Sequence, residues 1–341
     1  MEHRESRSNS KLVDVARLAN VSTATVSRAL SNPELVSEET LHRVQAAIGQ
    51  LRYVRHGAAR ALRSQRTRAI GAVVPTLSNA IFAHYTQALQ QALERRGYRL
   101  LLACNEYDLV SEERLVEPLI EHGIDGLVLV GHDHSSQLYK EIEDHRLPYV
   151  ITWTVGEDTR RPCVGFRNRE AASRVAEYLL DLQHREFAMI AGITKGNDRA
   201  RERVEGVQQT LAERGIRLDA QHLLERPYTF MAGREAMRKV MSLEPRPTAV
   251  VCGNDVLAVG ALTECHAMNI NVPKAVSITG FDDMEIASIT IPPLTTVRVP
   301  TEQIGRVAAE YIVSQVEGTE APLALEFSLD LVVRGTTGPP A

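Results

Sequence analysis

The stretch that decides the fold spans residues 12–32 and reads LVDVARLANVSTATVSRALSN. Apolar residues at i, i+3 and i+4 spacing predict a short first helix, which Asn20-Val21 interrupts. Ser22 stands where an N-cap would begin a second helix of about Thr23–Leu30. Asn32-Pro33 ends that helix, because proline lacks an N–H and disfavours helix at the preceding residue. The stretch therefore predicts two short helices that meet at a tight bend.

The second of these helices has one apolar face and one face of small side chains with a single arginine. The outward face is expected to carry Thr23, Ala24, Ser27 and Arg28. Small side chains let a backbone approach the bases in the DNA major groove, and arginine can bond O6 and N7 of guanine together. The pattern favours a DNA-binding helix-turn-helix, although an ordinary helical hairpin at a domain end has the same pattern.

A third helix is expected to complete a small bundle over residues 11–54. Ser37 is a candidate cap, and Leu41, Val44, Ile48 and Leu51 form an apolar stripe behind it. Residues 1–10 are polar, so we expect them to be disordered. Segment 55–67 is rich in Ala and Arg, with Leu62 as its one large apolar residue. It is either a basic linker or a helix that forms on DNA and inserts Leu62 into the minor groove.

Charge is distributed unevenly along the 341 residues. Residues 1–68 hold 12 Lys/Arg and 6 Asp/Glu, a net charge of +6, although the whole chain carries −4. The rest of the chain is therefore at −10. A basic segment attached to an acidic body indicates a module that binds a polyanion.

Several function classes find no support. The four cysteines are far apart, and no phosphate-binding, dinucleotide-binding or hydrolase motif is present. His132-Asp133-His134 could offer a metal pair, but the sequence places no further ligands beside it. We therefore expect no enzyme, no cofactor and no metal. The polar N-terminus and the absence of long apolar runs predict a cytoplasmic protein that does not enter membranes.

From Ala69 onward, short apolar runs alternate with amphipathic helices, which predicts an α/β fold with parallel sheets. The number of units exceeds one doubly wound sheet, so we expect two lobes over residues 68–338. The predicted first lobe covers about 68–166 and 296–322, and the second about 167–295 and 323–338. Pro292-Pro293-Leu294-Thr295-Thr296 is expected to be the return crossover. The seven expected strands are Ala69–Val74, Leu100–Cys104, Gly126–Val130, Tyr149–Thr152, Phe187–Ala191, Ala249–Cys252 and Val276–Gly280.

Polar and aromatic residues follow several of these strands, where open parallel sheets bind ligands. The effector-site candidates are Asn79, Phe82, Trp153, Arg201, Arg203, Asp255 and Asp282. An aromatic platform, a carboxylate and an arginine suit a sugar or sugar acid. Each also has a plainer interpretation, since Asp255 could be a helix cap, Trp153 core, and Arg199 with Arg203 a solvated helix face.

Together these motifs resemble the lactose-repressor (LacI/GalR) family of bacterial transcription regulators. The resemblance covers residues from Leu12 to about Gly335. It rests on LVDVARLANVSTATVSRAL, Leu51 with Tyr53, Ala59-Arg60-Ala61-Leu62, Gly206 after Arg203, Cys252-Gly253-Asn254-Asp255, Ile278-Thr279-Gly280-Phe281-Asp282-Asp283 and Pro292-Pro293-Leu294-Thr295-Thr296-Val297. VPTLSNAIF and VGFRNREAA look similar to gluconate-operon repressors.

The resemblance implies a small helix-turn-helix domain followed by a two-lobed, periplasmic-binding-protein-like domain. It implies a homodimeric repressor on operator DNA, controlled by a small effector such as gluconate. By position, Thr23, Ala24 and Arg28 would read bases, and Ser22, Thr25 and Ser27 would contact phosphates. Arg60 and Leu62 would lie at the minor groove, while Phe82, Arg203 and Asp255 would face the effector.

Two departures from the family pattern qualify these expectations. Arg55-His56 replaces a frequent Pro-Asn at the hinge, and the chain ends in Gly338-Pro339-Pro340-Ala341 without a heptad tail, so we expect a dimer. The competing hypothesis is a cytoplasmic sugar-binding protein without a DNA function.

Overall fold

The computed structural model describes residues 11–53, 66–156, 161–319, 322 and 324–341. The chain divides into two compact units, Met1–Thr67 and Arg68–Ala341, which are treated separately below. The candidate hinge residues Arg60 and Leu62 lie outside the described residues. No helix in the described ranges is both long enough and apolar enough to span a membrane.

The N-terminal unit contains helices α1 (Leu12–Leu18), α2 (Thr23–Ser31) and α3 (Glu38–Leu51). Ser22 caps α2, its hydroxyl accepting the Thr25 backbone N–H at 3.1 Å, as the sequence predicts. The core closes around Val15, Val26 and Val44, which are almost completely buried.

One residue of α2 differs from expectation. Ser27, expected on the outward face, is only 8% exposed. It follows Val26 by one position, about 100° around the helix, and so lies at the border of the buried face.

The C-terminal unit contains two six-stranded sheets. The first lobe is built on the sheet ordered β11-β5-β4-β3-β1-β2, and the second on the sheet ordered β12-β10-β9-β8-β6-β7. The strands are β1 (Ala69–Val74), β2 (Arg99–Cys104), β3 (Gly126–Val130), β4 (Tyr149–Thr152), β5 (Cys163–Gly165), β6 (Phe187–Gly192), β7 (Leu223–Arg226), β8 (Ala249–Cys252), β9 (Ser277–Asp282), β10 (Thr295–Arg298), β11 (Ala324–Glu326) and β12 (Asp330–Val332).

Helices cover both sheets and connect their parallel strands. In chain order they are α4 (Ala80–Arg95), α5 (Leu109–Glu121), α6 (Ser136–Asp144), α7 (Asn168–Asp181), α8 (Asp198–Glu213), α9 (Phe230–Val240), α10 (Asp255–Ala267), α11 (Glu285–Ile289) and α12 (Thr301–Glu317).

Both lobes repeat one strand order. The sequences β2-β1-β3-β4-β5 and β7-β6-β8-β9-β10 are equivalent, and every pairing within them is parallel. Among the strands that the structure describes, β12 alone pairs antiparallel, with β10, at the edge of the second sheet. The carboxyl ends of the parallel strands carry the loops that line the cleft between the lobes.

The chain crosses between lobes at different positions from those expected. Pro292-Pro293 leads into β10, which belongs to the second sheet, and the return to the first lobe follows at Val299-Pro300. Strand β11 then joins the first sheet, although we assigned 323–338 to the second lobe. The two prolines lie between α11 and β10, and β10 still belongs to the second lobe, so they do not mark a crossing between lobes. The lobe boundary expected at this position is therefore wrong.

The strands that the sequence did not reveal are all short. They are β5, β7, β10, β11 and β12, each of three or four residues. The equally short β4 and β8 were found because they are mainly apolar and buried, whereas most of the missed strands include exposed or polar residues and give no clear apolar run.

Candidate functional site

A small cavity of about 30 Å³ lies between the two lobes. Strand-end loops and helix N-termini from both lobes line it. The lining side chains belong to Asn79, Ile81, Phe82, Tyr107, Trp153, Asn197, Arg199, Arg203, Tyr228, Asn254 and Asp282. Five of the seven effector-site candidates are therefore brought together, while Arg201 and Asp255 lie elsewhere.

Arg203 is the best-anchored charge in this cavity. Its Nε donates to the Asn168 side-chain oxygen at 2.9 Å, and its Nη1 donates to the Gly253 carbonyl at 2.8 Å. Its guanidinium lies 3.6 Å from the centroid of the Phe281 ring. The side-chain amide of Asn168 in turn donates to the Trp153 carbonyl at 3.0 Å, so one network joins the second lobe to the first.

An aromatic wall faces this charge from the first lobe. The Trp153 ring lies 5.0 Å from that of Phe82 and 5.5 Å from that of Tyr85, centroid to centroid. Trp153 has a φ of +71°, uncommon for a bulky residue, which turns the side chain at the end of β4. Its buried indole N–H has no acceptor among the described residues. The wall thus offers a ring face together with one unsatisfied donor.

Asp282 supplies the carboxylate of the cavity. It ends β9 with a φ of +117° and is almost completely buried. Burial raises the pKa of its carboxyl to about 7, and the Arg203 guanidinium only partly offsets this. Near neutral pH the group is therefore poised between an acceptor and a donor of hydrogen bonds.

Asp255 lies beneath the cavity instead of lining it. Its carboxylate accepts the Met284 backbone N–H at 2.7 Å and the Thr296 hydroxyl at 2.6 Å. Burial and the nearby Asp282 charge raise its pKa well above the ordinary value. Asn254 is both the lining residue and the cap of α10, accepting the Leu257 N–H at 3.0 Å. The structure thus gives Asp255 a supporting place, whereas Asn254 borders the cavity.

Arg201 also lies away from the cavity. It forms a two-pronged ion pair with Asp133 of the first lobe, at 2.7 and 2.8 Å. Arg199 lines the cavity in its place and donates to the Val130 carbonyl at 3.0 Å. Residues 199 and 203 share a helix face, whereas residue 201 points away from it.

Tyr107, Asn197 and Tyr228 were absent from the sequence candidates. Tyr107 follows β2, so the strand-end rule applied to that strand would have found it. Tyr228 follows β7, a strand that the sequence did not reveal. Asn197 caps α8, its side chain accepting the Ala200 N–H at 3.3 Å.

In the candidate metal pair, His134 uses both ring nitrogens for contacts within the protein. His134 contacts the Glu112 carboxylate through Nδ1 at 2.7 Å and the Gly131 carbonyl through Nε2 at 2.8 Å. Across the described parts of the chain, no group of three His, Cys, Asp or Glu side chains is arranged to hold a metal ion.

The candidate DNA-contacting residues form a second site, in the N-terminal unit. Thr23, Ala24 and Arg28 are exposed on α2. Ser22 and Thr25 share a hydrogen bond of 2.9 Å between their hydroxyls at the helix start. A short helix with small exposed residues and one arginine has the shape and donor pattern that the major groove accepts.

Comparison with known proteins identifies the two domains that carry these candidate sites. Residues 11–56 match the model of bacterial regulatory proteins of the lacI family, and residues 176–337 match a periplasmic binding protein-like domain. The chain is 30% identical to the transcriptional repressor CytR of Escherichia coli K12 over 99% of both proteins. It is 30% identical to the repressor PurR of Vibrio parahaemolyticus, covering 95% of this chain and 97% of that one.

A solved structure extends this likeness to three dimensions. The lac repressor dimer, bound to operator and the anti-inducer ONPF, superposes with a TM-score of 0.86 at 25% identity. The match covers 97% of this chain and 100% of the lac repressor chain.

The raised pKa of Asp282 predicts a pH-dependent stability. The folded carboxyl keeps its proton up to a pKa of about 7, against 3.8 for an unperturbed group, so the folded state binds more protons in this interval. Stability must then fall as pH rises from about 4 to about 7. Asp282→Asn removes this titration. We expect the variant to gain on the order of a few kcal/mol in unfolding free energy relative to wild type across that range.

Denaturant unfolding of both proteins at a series of pH values measures this difference. A difference that stays constant with pH would show that the Asp282 carboxyl remains ionised in the folded protein.

Proposed function

The chain belongs to the lacI family of bacterial regulatory proteins, and from this premise we propose that it represses transcription as an effector-controlled homodimer on operator DNA. The relatives CytR and PurR are transcriptional repressors, not enzymes. The observation that carries the proposal is the pairing of an exposed α2 face with a two-lobed ligand cleft in one chain.

The exposed face of α2 supports recognition of the major groove. Thr23 and Ala24 are short, so direct hydrogen bonding to base edges rests mainly on Arg28. Ser22, Thr25 and Ser27 are proposed phosphate contacts, and the low exposure of Ser27 makes it the least accessible of them. Arg60 and Leu62 are proposed to contact the minor groove at the centre of the operator.

Arg28→Ala tests this recognition directly. We expect specific operator binding to weaken by roughly 1–3 kcal/mol, while affinity for random DNA changes little. Titrations against the chain's own promoter region and a scrambled duplex, each at two salt concentrations, measure both affinities. An equal loss on both duplexes would contradict base reading by Arg28, and binding that does not respond to salt would contradict the regulator proposal.

The cleft supports a sugar or a sugar acid such as gluconate as the effector. Phe82 and Trp153 offer a platform for the apolar face of a sugar ring. Arg203 suits a carboxylate or a hydroxyl pair, and Asp282 can accept a bond from a ring hydroxyl. The unsatisfied indole N–H of Trp153 suits a ligand oxygen.

The cavity must enlarge to accept such a ligand. Its volume of about 30 Å³ is far below the several hundred Å³ typical of a small-molecule pocket. The cavity therefore opens along one edge and recloses around the effector, and we propose that this movement changes the affinity for the operator. The coupling is reciprocal, so operator DNA must change effector affinity by the same factor.

Asp282→Asn tests the effector site. We first expect a thermal-shift screen of sugars, sugar acids and purines, gluconate included, to identify a stabilising compound. The variant should bind that compound at least about tenfold more weakly, because a carboxyl that can accept or donate a hydrogen bond near neutral pH becomes an amide, and should keep operator affinity. Calorimetric titration measures the first and a gel shift the second.

Asp283→Asn provides the matched control. Asp283 is the next residue, but its carboxylate binds Arg298 and Arg334 and does not line the cavity. Equal losses of affinity in the two variants would contradict a direct contact between Asp282 and the effector.

An exposed apolar patch on the second lobe supports the homodimer. Ile289 and Ile291 are 71% and 96% exposed, and neighbouring apolar side chains of this size commonly mark interaction surfaces. The lac repressor, similar to this chain along its whole length, is a dimer on its operator. We propose that a second copy of this chain covers the patch.

Ile291→Lys should weaken the dimer, because two-fold symmetry places each introduced charge in the same interface. We expect the dimer dissociation constant, measured by sedimentation equilibrium, to rise at least about tenfold. Val110→Lys, at another exposed apolar position, on α5, should leave it unchanged. A wild-type chain that sediments as a monomer would contradict the homodimer.

A further inference from the structure

The cavity of about 30 Å³ between the lobes, called the inner cavity from here on, is bordered by different groups along two of its edges. Along one edge, charged groups join the lobes. Along another, a wider chamber adjoins it, and the residues shared by the two spaces include two tyrosine rings and no charged side chain. We call the first edge the interlobe clasp and the wider chamber the vestibule.

The interlobe clasp consists of the loop after β3 and the N-terminus of α8. Asp198 accepts the His132 backbone N–H at 2.7 Å, and Arg199 donates to the Val130 carbonyl. Arg201 donates two hydrogen bonds to the Asp133 carboxylate. Gly131, with a φ of +85°, permits this approach, since a Cβ there would collide with the Arg199 guanidinium. The clasp is therefore a tight, charge-assisted contact.

The vestibule has a volume of about 730 Å³, within the range of small-molecule pockets. It shares Asn79, Tyr107, Asn197 and Tyr228 with the inner cavity and none of the clasp residues. Lys195 and Arg226 contribute two positive charges to its wall, against one negative charge from Glu106. A ligand that carries a carboxylate is thus attracted to this chamber.

Tyr107 and Tyr228 stand between the vestibule and the inner cavity. Tyr107 follows β2 and Tyr228 follows β7, which are equivalent edge strands of the two lobes. Their ring centroids are 5.8 Å apart with planes inclined at 52°. Gly192 provides the seat for Tyr228, because a Cβ at position 192 would overlap the tyrosine hydroxyl. Each lobe therefore contributes one of the two rings that separate the vestibule from the inner cavity.

We propose that Tyr107 and Tyr228 form a gate through which the effector passes from the vestibule into the inner cavity. The hydrogen bonds of the interlobe clasp stay intact during this passage. An aromatic contact holds less strongly than a two-pronged ion pair supported by further hydrogen bonds, so this edge parts first. This inference rests on the proposed effector role of the cavity. It adds the route of entry and the two residues that control it.

The single tryptophan of the chain makes the gate measurable without any effector. Trp153 lines the inner cavity and is only 2% exposed, so quenching of its fluorescence reports entry of a small solute. Acrylamide, which is small and uncharged, is the probe. Lifetime measurements give the bimolecular quenching constant for the full-length wild type and for each variant.

Tyr107→Ala and Tyr228→Ala each remove one ring of the gate. We expect either change to raise the quenching constant at least about threefold, since the closure between vestibule and cavity is lost. Tyr228→Phe keeps the ring and should behave like wild type. Arg201→Gln loosens the clasp and should raise the constant less than either alanine variant.

Two results would overturn the proposal. Alanine variants that fold, by circular dichroism, and yet quench like wild type would show that solutes do not enter past these rings. A larger effect of Arg201→Gln than of either alanine variant would assign entry to the clasp edge. Tyr107 and Tyr228 are both partly exposed and belong to different lobes, so either truncation keeps the test available if the other variant fails to fold. Neither result depends on operator or effector binding, so the repressor proposal is judged separately.

Discussion

The cleft depends on the contacts that compensate one buried charge, the guanidinium of Arg203. It is almost completely buried, so its charge must be compensated within the protein. The Gly253 carbonyl, the Asn168 amide oxygen and the face of Phe281 do this from three separate elements. Because Asn168 also holds the Trp153 carbonyl, the same bonds set the aromatic wall of the first lobe against the charged wall of the second.

A second constraint comes from two buried carboxyl groups, Asp282 and Asp255. The Asp282 charge adds to the cost of ionising Asp255, while the Met284 N–H and the Thr296 hydroxyl donate hydrogen bonds to Asp255. The two carboxyl groups therefore have different surroundings. Asp255 is already hydrogen-bonded within the protein, whereas Asp282 lines the cavity.

The repeated architecture of the lobes explains why paired features meet in the cleft. Tyr107 and Tyr228 follow equivalent edge strands, and Trp153 and Asp282 lie at the ends of the equivalent strands β4 and β9. Trp153 and Asp282 both have positive φ values, a costly backbone conformation that clusters at functional sites. Two lobes facing each other through such strand ends form a site whose two halves move apart whenever the lobes do. An effector that binds both halves can for this reason favour one lobe arrangement over another.

The sequence by itself determined the elements whose patterns are local. The Ser22 cap, the apolar stripe of the first three helices and the alternation of strands with helices depend on neighbours a few residues apart, and all are present in the structure. The strand-end rule likewise found Asn79, Phe82, Trp153, Arg203 and Asp282, because parallel strands deliver their carboxyl ends to one edge.

Only the tertiary structure decided which polar groups turn toward the cavity and which are used to hold it. Arg201 and Arg203 are alike in sequence, yet one pairs with Asp133 across the lobes and the other lines the cavity. Asn254 and Asp255 are adjacent, yet the amide faces the ligand space and the carboxylate supports Met284. These assignments depend on partners that are 29 to 68 residues away in the chain, and no local pattern encodes which partner a side chain will meet.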